Sequence, residues 1–95
     1  MSITWSEARG LVGAAFEFFP EGAPVTAVVT GATMRLQSRD LVQFAVTFRG
    51  PAQPAYRQGT YAFEHPTLGR RDIFITPVAR DAAGIDYEAC FSHAP

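Results

Sequence analysis

The side chains best suited to acid–base, nucleophilic or metal chemistry in this sequence are six: Tyr61, Glu64, His65, Asp72, Cys90 and His93. A metal site needs three or four ligands that converge on one point. Only Cys90 and His93 have a ligand-like spacing, as a Cys-x-x-His pair. That pair is half a site, and in a β-strand its two side chains point to opposite faces. The spacing therefore does not favour a metal centre.

Nucleophilic catalysis would need Cys90 as a thiolate beside His65 or His93. A reactive thiolate requires an electropositive and partly exposed setting. Cys90 stands next to Phe91 in an apolar, alternating stretch. This position predicts a small, buried and unreactive thiol instead of a catalytic one.

Paired carboxylates could be formed by Glu64 and Asp72 across a hairpin, but Arg70 and Arg71 lie on the same hairpin and favour ion pairs. The chain has no Gly-rich phosphate loop, no G-x-S-x-G elbow and no dinucleotide fingerprint. We therefore expect no enzyme activity, no cofactor and no metal.

The stretch from Glu64 to Gly69 has a structural interpretation. Pro66 restricts His65 to an extended conformation, and Gly69 suits a bulge position with positive φ. The His65 ring can then cap the turn by bonding a backbone group. This stretch is predicted to be a hairpin connection.

Composition indicates one folded domain spanning residues 1–95. Hydrophobic residues make up 47% of the chain and aromatic residues 13%, and disordered segments are poor in both. Charged residues make up only 18%, and the net charge of −1 gives no reason to expect a nucleic acid or an anionic membrane as partner. All eight basic residues are Arg, a residue enriched at protein interfaces.

The cysteine content and the apolar runs of the sequence suggest the cellular compartment of the protein. A single cysteine allows no intrachain disulfide, which suits a reducing environment. The first residues lack the basic and apolar regions of a signal peptide, and no apolar run approaches the ~18 residues of a membrane span. We expect a cytoplasmic protein, with incorporation into a larger assembly left open.

The first residues predict a short helix. Thr4 and Glu7 have the spacing of a capping box, and Trp5, Ala8, Leu11 and Val12 share one helical face. Gly10 or Gly13 can end the helix. It has at most two or three turns, so it must pack on the rest of the chain, with Trp5 as its anchor.

The hydrophobic period changes to two after Gly13, which predicts strands. The clearest strand places Val42, Phe44, Val46 and Phe48 on one face. Gly31 suggests a bulge within a long strand, and Pro77 limits its strand to an edge or to its end. The predicted strands are 14–19, 24–36, 41–49, 60–64, 72–78 and 85–92.

These elements predict an all-β fold with one short N-terminal helix. About six antiparallel strands with short connections form a meander, and a sheet with one apolar face must curl or be covered. We expect a small, partly closed barrel or roll, with the helix plugging or flanking one end.

Four stretches resemble a known family. They are Phe44–Pro51, then Gln58–Gly69 with the pattern QGTY-x-x-EHP-x-LG, and the strands that contain Ile73–Val78 and Tyr87–Phe91. Together they resemble the DUF6916 family of small bacterial proteins over roughly residues 8 to 92. The resemblance implies a single compact domain and carries over no catalytic residues. The genes found near such proteins suggest an accessory role beside phage-tail-like or fibre-type proteins.

Function is expected to be binding and not catalysis. The first hypothesis is an interaction or assembly module that contacts a protein partner, or forms a homo-oligomer, through an apolar face or a strand edge. Its candidate contacts are Tyr56, expected to be exposed, together with Arg57, Arg49 and His65. The alternative is a small β-barrel that binds an apolar ligand in its interior.

Overall fold

The computed structural model describes residues 3–95 and contains one short helix and six strands. The helix α1 is Trp5–Ala8, and the strands are β1 (Ala15–Phe18), β2 (Val25–Gln37), β3 (Val42–Gly50), β4 (Gly59–His65), β5 (Gly69–Arg80) and β6 (Ile85–His93). The predicted all-β fold with one N-terminal helix is confirmed. The single helix of the described residues is too short to cross a membrane.

All six strands pair antiparallel in one ring, in the order β1-β2-β3-β6-β5-β4. The ring closes between β1 and β4 through only two residue pairs, Glu17 with Glu64 and Phe18 with Phe63. The sheet is therefore an irregular ring and not a uniform barrel. This agrees with the partly closed barrel or roll expected from the sequence.

Inward-facing side chains fill the ring because the strands alternate as their sequence period predicts. Phe44 and Phe48, expected inside, are 1% and 0% exposed. Phe18 stacks on Phe63 with ring centroids 5.1 Å apart, and Phe16 meets Phe48 edge-on. Full burial of one such ring contributes about 1.5–3 kcal/mol, so this aromatic group is a main source of stability.

Strand β5 divides its pairing between two neighbours. Its first part, residues 69–75, pairs with β4, and its second part, residues 76–80, pairs with residues 85–88 of β6. Pro77 lies in the part that is paired on one side only, as a residue without an N–H requires. The prediction that the strand ends near Val78 is wrong, because a register shift between Pro77 and Ala79 lets it continue to Arg80.

Residues 3–12, here called the N-terminal arm, cover the inner face of the sheet. The predicted capping box of Thr4 and Glu7 is present. The helix has a single turn, however, and Val12, expected on its buried face, is 54% exposed. Gly10 explains the early end, because glycine costs about 1 kcal/mol within a helix. Trp5 is the predicted anchor, with its ring 5.4 Å from that of Phe44.

Candidate functional site

His65 caps the β4–β5 turn in the way its position before Pro66 predicted. Its Nδ1 accepts hydrogen bonds from the backbone N–H groups of Thr67 (3.1 Å) and Leu68 (3.3 Å). Its ring lies 5.0 Å from that of Phe16. His65 therefore fixes the turn through Nδ1, and its role as a partner contact stays a prediction.

A cleft of about 280 Å³ lies beside this turn, lined by Glu17, Glu64, His65, Pro66, Gly69 and Arg70. Glu17 and Glu64 are opposite each other across β1 and β4, an arrangement of like charges that is unfavourable. On its other side, Glu64 is opposite Arg70. Within residues 3–95, no three His, Cys, Asp or Glu side chains lie together so as to hold a metal ion.

Arg49 connects the end of β3 to the turn between β5 and β6. Its Nη1 donates to Asp86 at 2.9 Å and its Nη2 donates to Asp81. The Ala83 amide, and after it the Arg49 guanidinium, lower the pKa of Asp81. Asp86 and then Asp81 raise the pKa of Arg49. The guanidinium is thus engaged inside the chain, although 29% of its side chain is exposed.

Tyr56 is half-buried and not exposed as expected. Its ring packs edge-on against Phe18 at 5.5 Å, and its backbone N–H donates to the hydroxyl of Tyr87 at 3.2 Å. This position follows from the loop between β3 and β4, which folds back over the core. Arg57 is exposed, and its guanidinium has no ion pair within the described part of the chain. Arg57 is therefore the freest of the four candidate contacts.

Cys90 is exposed, so the prediction of a buried thiol is wrong. It lies on the outer side of β6, and its Sγ is 3.6 Å from a carboxylate oxygen of Glu88. Partial desolvation of the thiol, followed by the Glu88 charge, raises the pKa of Cys90. A raised pKa leaves less thiolate, which is the opposite of what a nucleophile needs.

His93 faces inward, on the opposite side of β6 from Cys90. Its Nε2 accepts the backbone N–H of Trp5 at 3.1 Å, and its Nδ1 lies 2.6 Å from the carbonyl oxygen of Ala94. Nε2 therefore acts as a hydrogen-bond acceptor, and Nδ1 lies within hydrogen-bond distance of that carbonyl oxygen. Cys90 and His93 therefore point to opposite sides of β6, so they are not arranged as ligands of one metal ion or as a catalytic pair.

The structure reveals a feature that sequence reasoning missed, an open edge on β2. Strand β1 pairs with β2 over residues 25–28, and the backbone of Val29 bonds to Gly13 and Ala14. At Gly13, whose φ is +92°, the chain turns away into the arm. Within residues 3–95, no strand pairs with residues 30–37 of β2 on the side away from β3. This stretch is here called the open edge.

Edges of this kind are usually protected by charges, prolines or bulges. The open edge contains one charged residue, Arg35, and no proline. Register shifts lie at its two ends, between Val29 and Gly31 and between Met34 and Leu36. They confirm the bulge predicted at Gly31 and leave a regular ladder of four residues. The sequence signal for the edge was present, because a predicted strand of six residues precedes one of thirteen.

A second cleft, of about 290 Å³, lies on the outer face of β2, β3 and β6. It is lined by Arg35, Gln43, Phe44, Cys90, Phe91 and Ser92. An apolar-ligand barrel would instead need an internal cavity, and the ring interior is filled by fully buried side chains such as Phe18, Val46 and Ile75. That alternative stays a prediction that the packing does not favour.

These features define a class: a small six-stranded β-ring with an N-terminal arm and one open strand edge. The chain belongs to the family described as a domain of unknown function (DUF6916), whose model matches residues 3–91. The family resemblance read from the sequence is thereby confirmed. No curated protein and no solved structure matches the chain.

Proposed function

We propose that this protein is a non-catalytic interaction module that binds a strand of a protein partner, or of a second copy, along the open edge of β2. The observation that carries the proposal is the open edge itself. Its unpaired N–H and C=O groups are a template for strand addition.

Length does not exclude such docking. The regular ladder from Gly31 to Met34 spans four residues, and β1 pairs with the other half of β2 over four residues as well. A four-residue pairing is therefore a contact that this sheet already uses. Leu36, 44% exposed at the end of the edge, adds an apolar contact.

Electrostatics agree with a protein partner. A net charge of −1 offers little attraction to nucleic acid or to an anionic membrane. The proposed setting is the cytoplasm. An accessory role in a phage-tail-like or fibre-type assembly is the narrower form of the same proposal, and it rests on the family resemblance alone. Arg57 and His65 are secondary candidate contacts.

The test compares two threonine-to-lysine variants of β2. Thr33 and Thr26 are both exposed, but Thr33 lies on the open edge whereas Thr26 is covered by β1. A lysine on an edge strand opposes pairing with a further strand. Thr33→Lys should weaken self-association, or binding of a purified partner, at least about tenfold, and Thr26→Lys should leave it unchanged.

Hydrogen exchange supplies the second measurement. Amides of residues 30–37 should exchange faster in the dilute free chain than in the associated form. Equal binding by Thr33→Lys and Thr26→Lys, or protection that appears only outside this stretch, would show that association uses another surface.

A further inference from the structure

The ring has an opening between β5 and β6. These two strands pair only where residues 76–80 of β5 meet residues 85–88 of β6, and the opening lies beyond that paired part. Residues 69–75 of β5 pair only with β4, and residues 89–93 of β6 pair only with β3. The two stretches belong to strands that are neighbours in the ring, but no residue of one stretch pairs with a residue of the other. They are here called the β5–β6 opening.

The N-terminal arm bridges this opening. Its Trp5 amide donates to His93 on β6, and its Glu7 carboxylate accepts from Arg71 on β5 at 3.3 Å. Three apolar side chains of the same segment are buried in the core: Ile3, Ala8 and Leu11. The arm therefore spans the opening with one hydrogen bond and one ion pair, and it adds three buried apolar side chains to the core.

Gly13 is the residue at which the chain turns from the arm into the ring. Gly13 has φ +92°, and an added Cβ there would have no atom within 4 Å, so the backbone turn and not crowding requires glycine. Ala15 is opposite Val28. Because the two strands are antiparallel, the residue four positions before Ala15 would lie opposite the residue four positions after Val28. A straightened hinge would therefore bring Leu11 opposite Ala32. A straightened hinge thus gains strand pairing on its own open edge.

We propose that the arm exchanges between two copies, so that residues 3–10 of each copy occupy the β5–β6 opening of the other. Exchange remakes the contacts of Ile3, Trp5, Glu7 and Ala8 in the second copy, and exchange of an identical element is a low-cost route to dimers. Only the hinge at residues 11–14 changes conformation. The inference does not depend on a partner strand at the open edge.

A pair of glycine variants tests the hinge. Gly13→Ala strains the closed hinge, because an L-residue disfavours the left-handed φ. The equilibrium between the closed and the straightened hinge should shift towards the straightened form about fivefold or more. Each dimer contains two straightened hinges, so the dimerisation constant should rise about 30-fold or more. Gly22 is the matched control, with φ +86° and no atom within 4 Å of an added Cβ, but in the β1–β2 turn. Gly22→Ala should not change the dimerisation constant, measured by sedimentation equilibrium. Equal constants for the two variants would overturn the proposal.

Cross-linking tests where the arm goes. In a Cys90→Ser background, a Glu7→Cys chain is incubated at high concentration with an Arg71→Cys chain or with an Arg70→Cys chain, and a short bis-maleimide is added. Covalent heterodimer should form with Arg71→Cys and not with Arg70→Cys, which is exposed on the outer face. The double variant Glu7→Cys, Arg71→Cys should cross-link within one chain when dilute.

Each other outcome counts against the proposal. Similar cross-linking to both positions would mean dimerisation through a different surface, such as the open edge. Failure of the double variant to cross-link would contradict the position of the arm itself. Because the Thr33→Lys comparison measures edge binding and not arm position, failure of either proposal is recognisable separately.

Discussion

Replacement of Gly84 by alanine gives the sharpest stability prediction. Gly84 is buried where the β5–β6 turn meets the end of β3. A Cβ added there would lie 2.7 Å from the carbonyl oxygen of Gly50 and 2.9 Å from Nε of Arg49. The first contact is with backbone, so the last pair of the β3–β6 ladder must move to accommodate it.

The magnitude combines two opposing effects. Overpacking of a close contact costs about 1–3 kcal/mol, whereas alanine in place of glycine stabilises by about 0.4–1 kcal/mol through the unfolded chain. The φ of Gly84 is not positive, so no backbone strain is added. We expect Gly84→Ala to lower the free energy of unfolding by about 1–2 kcal/mol, or Tm by roughly 4–16 °C at this chain length.

Denaturant unfolding followed by Trp5 fluorescence measures this change, because Trp5 is the only tryptophan and packs on Phe44. Gly31→Ala is the control: its added Cβ has no neighbour within 4 Å, and its φ is not positive. That variant should be neutral or slightly stabilising. If Gly84→Ala is as stable as Gly31→Ala, the reasoning from the Gly50 contact is wrong.

Two further predictions concern titrating groups. The backbone N–H of Thr4 and then the guanidinium of Arg71 lower the pKa of Glu7. The ionised carboxylate therefore stabilises the fold at neutral pH, and this contribution is lost as the pH falls through the lowered pKa. Thermal unfolding measured across pH should show Glu7→Gln to be less stable than the wild type at neutral pH and equally stable in acid. Burial and then Glu88 raise the pKa of Cys90. Glu88→Gln should shift the pH profile of iodoacetamide alkylation to lower pH, and an unchanged profile would mean that the carboxylate has no influence on the thiol.

Local patterns explain what the sequence could predict. The inward position of Phe44 and Phe48 follows from alternation, and the His65 cap follows from Pro66 and Gly69, since each depends on neighbours in the chain. The exposure of Cys90 was also readable. Tyr87, Ala89 and Phe91 alternate along the sequence and so share one face of a strand, which requires Cys90 to point to the other face. The general tendency of cysteine to be buried misled the prediction.

Nonlocal pairing explains what the sequence could not predict. The clamp of Arg49 depends on where the β5–β6 turn lands, and the division of β5 between β4 and β6 depends on how the ring closes. The open edge also arises this way, because the turn at Gly13 decides how far β1 accompanies β2. The unequal lengths of the first two predicted strands were a sequence signal for the open edge, but the Arg49 clamp and the division of β5 have no period or spacing that would reveal them.

Two ion pairs join elements that share no hydrogen-bonded ladder. Arg71 and Glu7 join β5 to the arm across the β5–β6 opening. Arg35 on β2 pairs with Glu88 on β6 at 3.0 Å, above β3, and Ala45 of β3 is only 3% exposed although it lies on the outer face. A chain with few charges thus uses several of them to connect strands that do not pair.

Gly13 links the two proposals made for this protein. While Gly13 turns the chain, the arm covers the β5–β6 opening and the open edge of β2 is free for a partner strand. When the hinge straightens, the extended residues occupy part of that same edge, because Leu11 comes opposite Ala32. A strand bound at the open edge and an exchanged arm therefore compete for the same backbone groups. It follows that a bound partner strand should suppress arm exchange, and that Gly13→Ala should weaken partner binding while it promotes the dimer.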